Sequence, residues 1–316
     1  MTRISVLMPM RNAEPYVREA VASVLAQDCP GMELIVVDDG STDQSRRIVE
    51  SFGDARVRIV EGPRRGFAAA WNAALAAAGG DAVMQCDADD AYPVGRVASQ
   101  VKLLEEKPEF GAVCGGFSTM DGQGRLVAQL SRGGGGGEEI TRELLDGKTR
   151  TTLCSFAVRR EHLAALNGMR VYFETGPDID LQFRLAERCR IWYVPEELYR
   201  YRLHETSVTH TIGKVRRAFF DDYAKELRRQ RAEGRRDDLD LGTPLTPPDS
   251  GQASNSREQI QGMLLASAWL AHRRGDRMDA LKKGLRALTV QPGSLGAWKS
   301  VAALLLKPSG SAPKAP

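Results

Sequence analysis

The first hundred residues alternate short apolar runs with amphipathic helical patterns, and this constrains the fold more than any other feature. "ISVLMPM" reads as a buried strand, and "EPYVREAVASVLAQ" as a helix with Val17, Val21, Val24 and Leu25 on one face. Pro15 falls near that helix's first turn, where a missing N–H costs little. "MELIVVDD" is a second strand. Ser41 and Gln44 then stand at capping-box spacing ahead of Ile48, Val49 and Phe52. "VRIVEG", "DAVMQCDADD" and "FGAVCGGFSTMD" supply three more strands, separated by the helical "FAAAWNAALAAAGG" and "VGRVASQVKLLEE". This βαβα rhythm predicts an α/β fold: a mostly parallel sheet with helices on both faces.

From about Gly122 the rhythm breaks. "DGQGRLVAQL" suggests a hairpin, and the five glycines from Gly133 a flexible loop. "TTLCSFAVRREHLAAL" reads as strand then helix, "DIDLQFRLAERC" as an amphipathic helix, and "IWYVPEELYRYRLH" as largely extended. Residues 214–236 hold nine Lys/Arg against four Asp/Glu. Such a helix is a solvated face or, as a second reading, a site of attraction to anionic lipid headgroups. "GTPLTPPDSGQASNS" is a linker by composition. Beyond it, Ala–Leu spacing, a Gly275-Asp276 turn and a closing Pro292 fit one tetratricopeptide-like helix pair. Such repeats need about three units to stand alone, so the pair is expected to pack on the main domain or to form a homodimer. "KPSGSAPKAP" reads as a disordered tail.

The net charge of +3 gives no global pointer to nucleic acid. No run of about 18 apolar residues exists to span a bilayer. The N-terminus lacks a signal-peptide pattern. The five cysteines are scattered and odd in number, which suggests reduced packing thiols and a cytoplasmic protein.

Ligands of an open parallel sheet sit at the carboxyl ends of its strands. Three of those ends are unusually polar: "PMRN", "DDGSTD" and "DADD". Caps and turns account for single Asp and Ser residues. Clustered carboxylates, however, need a cation or hydrogen-bond donors. A divalent ion held by one or two carboxylates, phosphate and water suits "DADD". A carboxylate at the second strand's end can accept from a base N–H or a ribose hydroxyl.

With these residues in order, the chain resembles the inverting family-2 glycosyltransferases of GT-A fold over roughly residues 3–210. The matching stretches are "SVLMPMRNAEPYVREAVASVLAQ", "ELIVVDDGSTDQS", "RGFAAAWNAAL", "DADD", "DIDLQFRL" and "YRLHETSVT". The resemblance implies that Pro9, Arg11 and Asn12 line a nucleotide pocket. It implies that Asp39 binds the base, most often uracil, with Asp38 supporting the loop and Gly66 and Asn72 beside the nucleoside. Asp87 would face the ribose, and Asp89 and His204 the metal, Mn²⁺ or Mg²⁺. Asp90 would be structural and Asp178 the catalytic base.

The expected division is 1–105 for the nucleotide-sugar half, 106–213 for the acceptor and metal half, and 214–256 for the basic helix and linker. The helix pair would occupy 257–308 and the tail 309–316. Two departures stand out. Trp71 occupies a position the family often fills with Arg, and Pro177 replaces the usual Glu before Asp178. Without membrane helices or a QxxRW motif, the expected activity is a single sugar addition. A UDP-sugar would be the donor and a glycan or lipid-linked hydroxyl the acceptor, in cell-surface polysaccharide or glycoconjugate synthesis.

A sugar-nucleotidyltransferase is the enzyme alternative, but it calls for a glycine-rich triphosphate loop that "PMRNAEP" lacks. A catalytically inactive scaffold is the other alternative, disfavoured by intact Asp89 and Asp178. "DGKT" at Asp146 to Thr149 lacks the first glycine of a P-loop. His204 and His210 lack zinc spacing.

Overall fold

The structure is a computed structural model that describes residues 2–130, 136–204, 212–249 and 256–308. Part of the pentaglycine stretch (133–135), His210, part of the linker (250–255) and the tail (309–316) lie outside the described residues.

Four strands build the parallel part of the sheet in the order β3 (Val57–Glu61), β2 (Met32–Asp38), β1 (Ile4–Met10), β4 (Ala82–Gln85). Their side chains alternate between two cores. Ile4, Val6 and Met8 of β1 pack with α1 (Val17–Leu25), α2 (Ser45–Glu50) and α4 (Arg96–Glu106). Leu7 points the other way, toward α3 (Phe67–Ala77) and α7 (Pro177–Arg188). Each fully buried Val or Leu of this kind is worth about 1.5–3 kcal/mol. The expected sheet with helices on both faces is present.

The second half modifies the pattern. The short β8 (Ala157–Arg159) inserts antiparallel between β4 and β5 (Phe110–Asp121). β5 therefore keeps the direction of β4, one place further out. β9 (Arg190–Leu203) and β7 (Glu138–Glu139) complete that side, and β6 (Leu126–Leu130) pairs with β5 as the expected hairpin. Helices α5 (Thr141–Leu145), α6 (Arg160–Ala165) and α8 (Lys214–Ala232) cover this half.

By contacts the chain divides into two compact units. The first takes the described residues of 1–117, 131–201 and 214–251, and the second those of 118–130, 202–213 and 252–316. The second unit thus adds the hairpin to the C-terminal helices α9 (Ser256–Arg273), α10 (Arg277–Val290) and α11 (Leu295–Leu306). Asp121 of the hairpin takes Arg125 and Arg286 as partners. Gly284 lets α10 approach α11, since a Cβ there would stand 3.2 Å from both Leu304 and Val301.

Two local expectations fail. The C-terminal region has three helices where a pair was expected. Ser294, whose side chain accepts the Ala297 amide, is the N-cap signal of the extra one. Ser41 and Gln44 form no capping box. Helix α2 begins at Ser45, with no side-chain cap from Gln44. Asp43 instead accepts the Ser45 amide at 2.9 Å, and Ser41 is drawn off to the β1 loop.

Candidate active site

β2 and β4 flank β1, so all three polar strand ends open on one edge of the sheet. Pro9 is buried opposite Val37. The β1–β4 register ends at Leu7↔Gln85, so Pro9's missing N–H breaks no bond to β4. Arg11 and Asn12 follow on the exposed side. Asn12 has left-handed backbone, φ 51°. Its side-chain oxygen accepts the Thr42 amide at 2.8 Å, and its own amide donates to the Ser41 hydroxyl at 3.1 Å. The loops after β1 and β2 are stitched together through it.

Both aspartates at the end of β2 are nearly inaccessible, Asp38 at 5% and Asp39 at 4% exposure. Asp38 accepts the Ser41 amide at 2.8 Å. Asp39 reaches across to the loop after β3, accepting the amides of Arg64 at 2.6 Å and Gly66 at 2.9 Å. Arg64 is also left-handed, φ 57°. Gly62 permits this close approach, because a Cβ there would lie 2.6 Å from the Asp39 Cα. Such backbone strain is sustained where surrounding bonds fix it, often at functional sites. Asn72 lies on α3, six residues beyond Gly66. Its amide bonds both backbone groups of Met169 at 2.8 Å, clamping α3 to the loop before α7.

The end of β4 is supported from behind. Gln85 donates to Asp87 Oδ1 at 2.7 Å, and the Cys154 thiol lies 3.6 Å from Oδ2. Trp71, the departure noted above, is a buried core residue whose indole N–H donates to Gln85 at 2.9 Å. The Tyr199 hydroxyl accepts the Asp87 amide at 3.0 Å and donates to the fully buried Asp90 at 2.7 Å. Arg96 stacks 3.9 Å from the Tyr92 ring centroid and 5.2 Å from that of Tyr199. Burial first, then the charge of Asp89, pushes the Asp87 carboxyl above its usual range.

Asp87, Asp89 and Asp90 bring ligand oxygens within 4.8 Å of one another, the one such acidic grouping among the described residues. An oxygen-lined acidic cluster of this kind fits a hard divalent cation. Asp90 is engaged by Tyr199, so the ion would fall to Asp87 and Asp89. His204 follows β9, is buried, and belongs to the second unit.

Asp178 is the second residue of α7, behind Pro177 at the first position and Gly176 as N-cap with φ 67°. It is therefore not the N-cap. Burial pushes its carboxyl up to about 6, against the lowering effect of its own amide and that of Ile179. Helix α8 supplies two further groups: Asp221, which raises it, and Arg217, which lowers it. Asp178 in turn raises Asp87. Asp178 and the acidic strand end therefore influence one another electrostatically.

Gln85, Cys154, Tyr199, Arg217 and Asp221 escaped the sequence reading. Each is an ordinary core or surface residue by local pattern, and only the fold brings it to the site.

Comparison with known proteins follows the same outline. Residues 5–166 match the family model described as Glycosyl transferase family 2. The chain is 28% identical over 229 residues to the glycosyltransferase GlyG of Streptococcus pneumoniae, covering 66% of this chain and 73% of that one. It is 33% identical over 102 residues to the UDP-Glc:alpha-D-GlcNAc-diphosphoundecaprenol beta-1,3-glucosyltransferase WfgD of Escherichia coli, covering 32% and 40%. Three other curated relatives are matched over 26%, 42% and 43% of their length, less than half of each. S. aureus TarS 1–349, solved in complex with UDP, shares the fold with a TM-score of 0.56 at 19% identity, covering 95% of this chain and 90% of that one.

Proposed function

The chain belongs to glycosyl transferase family 2, and we propose on that premise that it moves a sugar from a nucleotide diphosphate, most simply UDP, to an acceptor hydroxyl with inversion. The observation that carries this reading is the acidic cluster of Asp87, Asp89 and Asp90 at the end of β4, on the sheet edge where β2 runs into Asp38 and Asp39, with Asp178 at the start of α7 as a lesser influence on Asp87. The UDP complex of TarS and the UDP-Glc named for WfgD support a UDP-linked donor. The diphosphoundecaprenol in the WfgD name supports a lipid-linked acceptor in cell-surface glycan synthesis.

In this reading residues 1–105 bind the nucleotide sugar. Asp39 offers its remaining lone pairs to the base N–H while its bonds to Arg64 and Gly66 hold the loop in place. Pro9, Arg11, Asn12, Gly66 and Asn72 surround the nucleoside, with Asp38 bracing the turn. Asp87, fixed by Gln85, meets the ribose side, and Asp89 with Asp87 would hold Mn²⁺ or Mg²⁺. When bound, such an ion neutralises charge that builds on the leaving diphosphate. Residues 106–213 frame the acceptor. There Asp178 takes the proton of the attacking hydroxyl onto a carboxylate oxygen. The acceptor oxygen bonds to the anomeric carbon, and the bond to phosphate breaks with its electron pair leaving on the nucleoside diphosphate. A carboxyl near 6 is ionised at neutral pH yet basic enough to hold that proton. The role of His204 as a further metal ligand rests on resemblance alone.

A panel of UDP-, GDP- and dTDP-sugars, read by thermal shift with Mn²⁺ and with EDTA, tests the reading. Stabilisation by UDP-sugars with Mn²⁺ and its loss in EDTA is expected. Equal stabilisation in EDTA would remove the metal from the account.

A further inference from the structure

Two parts of the chain, α8 and residues 257–308, carry an excess of basic residues, and they differ in the apolar surface beside those charges. On α8 the cations are largely committed within the first unit. Arg216 pairs with Glu174, Arg229 with Glu226 and Glu233, and Arg231 with Glu187 and Asp237. Lys225 pairs with Asp222, and Arg228 donates to the Leu145 carbonyl. This is the solvated, ion-paired face that the sequence favoured. It presents no apolar stripe beside its charges: Val215 is its one large hydrophobic residue well exposed.

Helix α11 is built differently. Leu295 is 77% exposed, Trp298 54%, Leu305 58% and Leu306 84%. At 3.6 residues per turn these four fall within an arc of about 100°, over a length of roughly 17 Å. Ala297, Val301 and Leu304 on the other side fill the core of the second unit. The Trp298 indole N–H already donates to the Pro292 carbonyl at 2.8 Å, so the outward ring is apolar with no donor wasted. Lys299 is exposed beside the stripe. No acidic residue occurs in α11, and residues 257–308 carry nine Lys/Arg against three Asp/Glu. Of those acids, Asp276 caps α10 and Asp279 pairs with Lys283.

We propose that this face of α11 docks on an anionic phospholipid surface. An exposed Trp–Leu stripe with the exposed Lys299 beside it, on a helix without acids in a segment of nine Lys/Arg against three Asp/Glu, matches the acyl–headgroup boundary of such a surface in both apolarity and sign of charge. A second copy of the same face matches only the apolar half, since it would set Lys299 against its own equivalent. The proposal does not depend on the sugar-transfer reading.

The test is co-sedimentation of the full chain with vesicles of phosphatidylcholine alone and with equal parts phosphatidylcholine and phosphatidylglycerol. Sedimentation with the anionic vesicles, little with the neutral ones and weakening by salt are expected. A Trp298→Ser, Leu305→Ser double variant should lose about tenfold or more in vesicle affinity. Lys299→Glu, which leaves the packing untouched, should weaken binding in the same direction. A wild-type chain that stays in the supernatant with anionic vesicles would overturn the proposal. So would variants that bind like wild type, or variants that abolish a concentration-dependent dimer in analytical ultracentrifugation while vesicle binding persists.

Discussion

Asp221 of α8 acts as the acidic neighbour of Asp178. Its Oδ1 lies 3.1 Å from where a Cβ on Gly176 would stand, at the N-cap of the helix that carries Asp178. After burial and Asp178's own amide, its charge is the next influence on the Asp178 carboxyl, opposed by Arg217 one turn earlier on α8. The family's usual Glu is Pro177 here, and a residue more than forty positions away supplies the missing negative charge.

A pH dependence follows from this pairing. With its carboxyl near 6, Asp178 is ionised above that pH and protonated below it, so turnover should fall on an acid limb centred near 6. Asp221→Asn removes a charge that disfavours ionisation and should move the limb to lower pH. Arg217→Ala should move it to higher pH. Two shifts of the same sign in the pH–rate profile would contradict the arrangement.

The support behind β4 makes a separate prediction. Trp71→Phe keeps the ring in the core but strands the buried Gln85 oxygen, which should cost about 1–3 kcal/mol in urea denaturation. Gln85 also orients Asp87, so UDP binding with Mn²⁺ should weaken in the same variant. Unchanged stability and affinity would make Trp71 a mere space-filler.

The rim is tested at Asp39. In Asp39→Asn the new NH₂ group faces one of the two amides that the carboxylate now accepts, from Arg64 or Gly66. Loss of that bond and of the base contact should weaken UDP by about 1–3 kcal/mol in calorimetric titration. UDP affinity equal to wild type would take Asp39 out of the nucleotide site.

The sheet and the acidic strand ends were legible because they rest on local pattern. Short continuous apolar runs end in polar residues, and parallel topology gathers those ends on one edge. The strand that became β8 was legible ahead of α6, but its antiparallel insertion between β4 and β5 was not, since pairing partners leave no local pattern. The α2 start was misread because Ser41 fits a cap by spacing but is bonded to the Asn12 amide. The third C-terminal helix had a visible signal in Ser294, overlooked because a helix pair already satisfied the repeat pattern. Gln85, Cys154, Tyr199 and Asp221 could not be read at all. Gln85 lies only two positions from Asp87 but its role depends on Trp71 fourteen positions away, Cys154 and Tyr199 reach Asp87 across 67 and 112 positions, and Asp221 lies against an N-cap glycine on another helix.

UDP release from a UDP-sugar and acceptor in wild type and Asp178→Asn, with UDP affinity measured on the same samples, decides whether the acidic strand end and Asp178 form one sugar-transfer site. The folded state holds the Asp178 proton more tightly than the unfolded chain does, so its contribution to stability declines as pH rises from about 4 toward 6 and is unfavourable above. Asparagine removes that penalty, so the variant should fold at neutral pH at least as stably as wild type and bind UDP equally well. Turnover should nevertheless fall by about 10²–10⁴, the usual worth of a positioned base. A folded, UDP-binding Asp178→Asn protein that releases UDP at the wild-type rate would contradict the account.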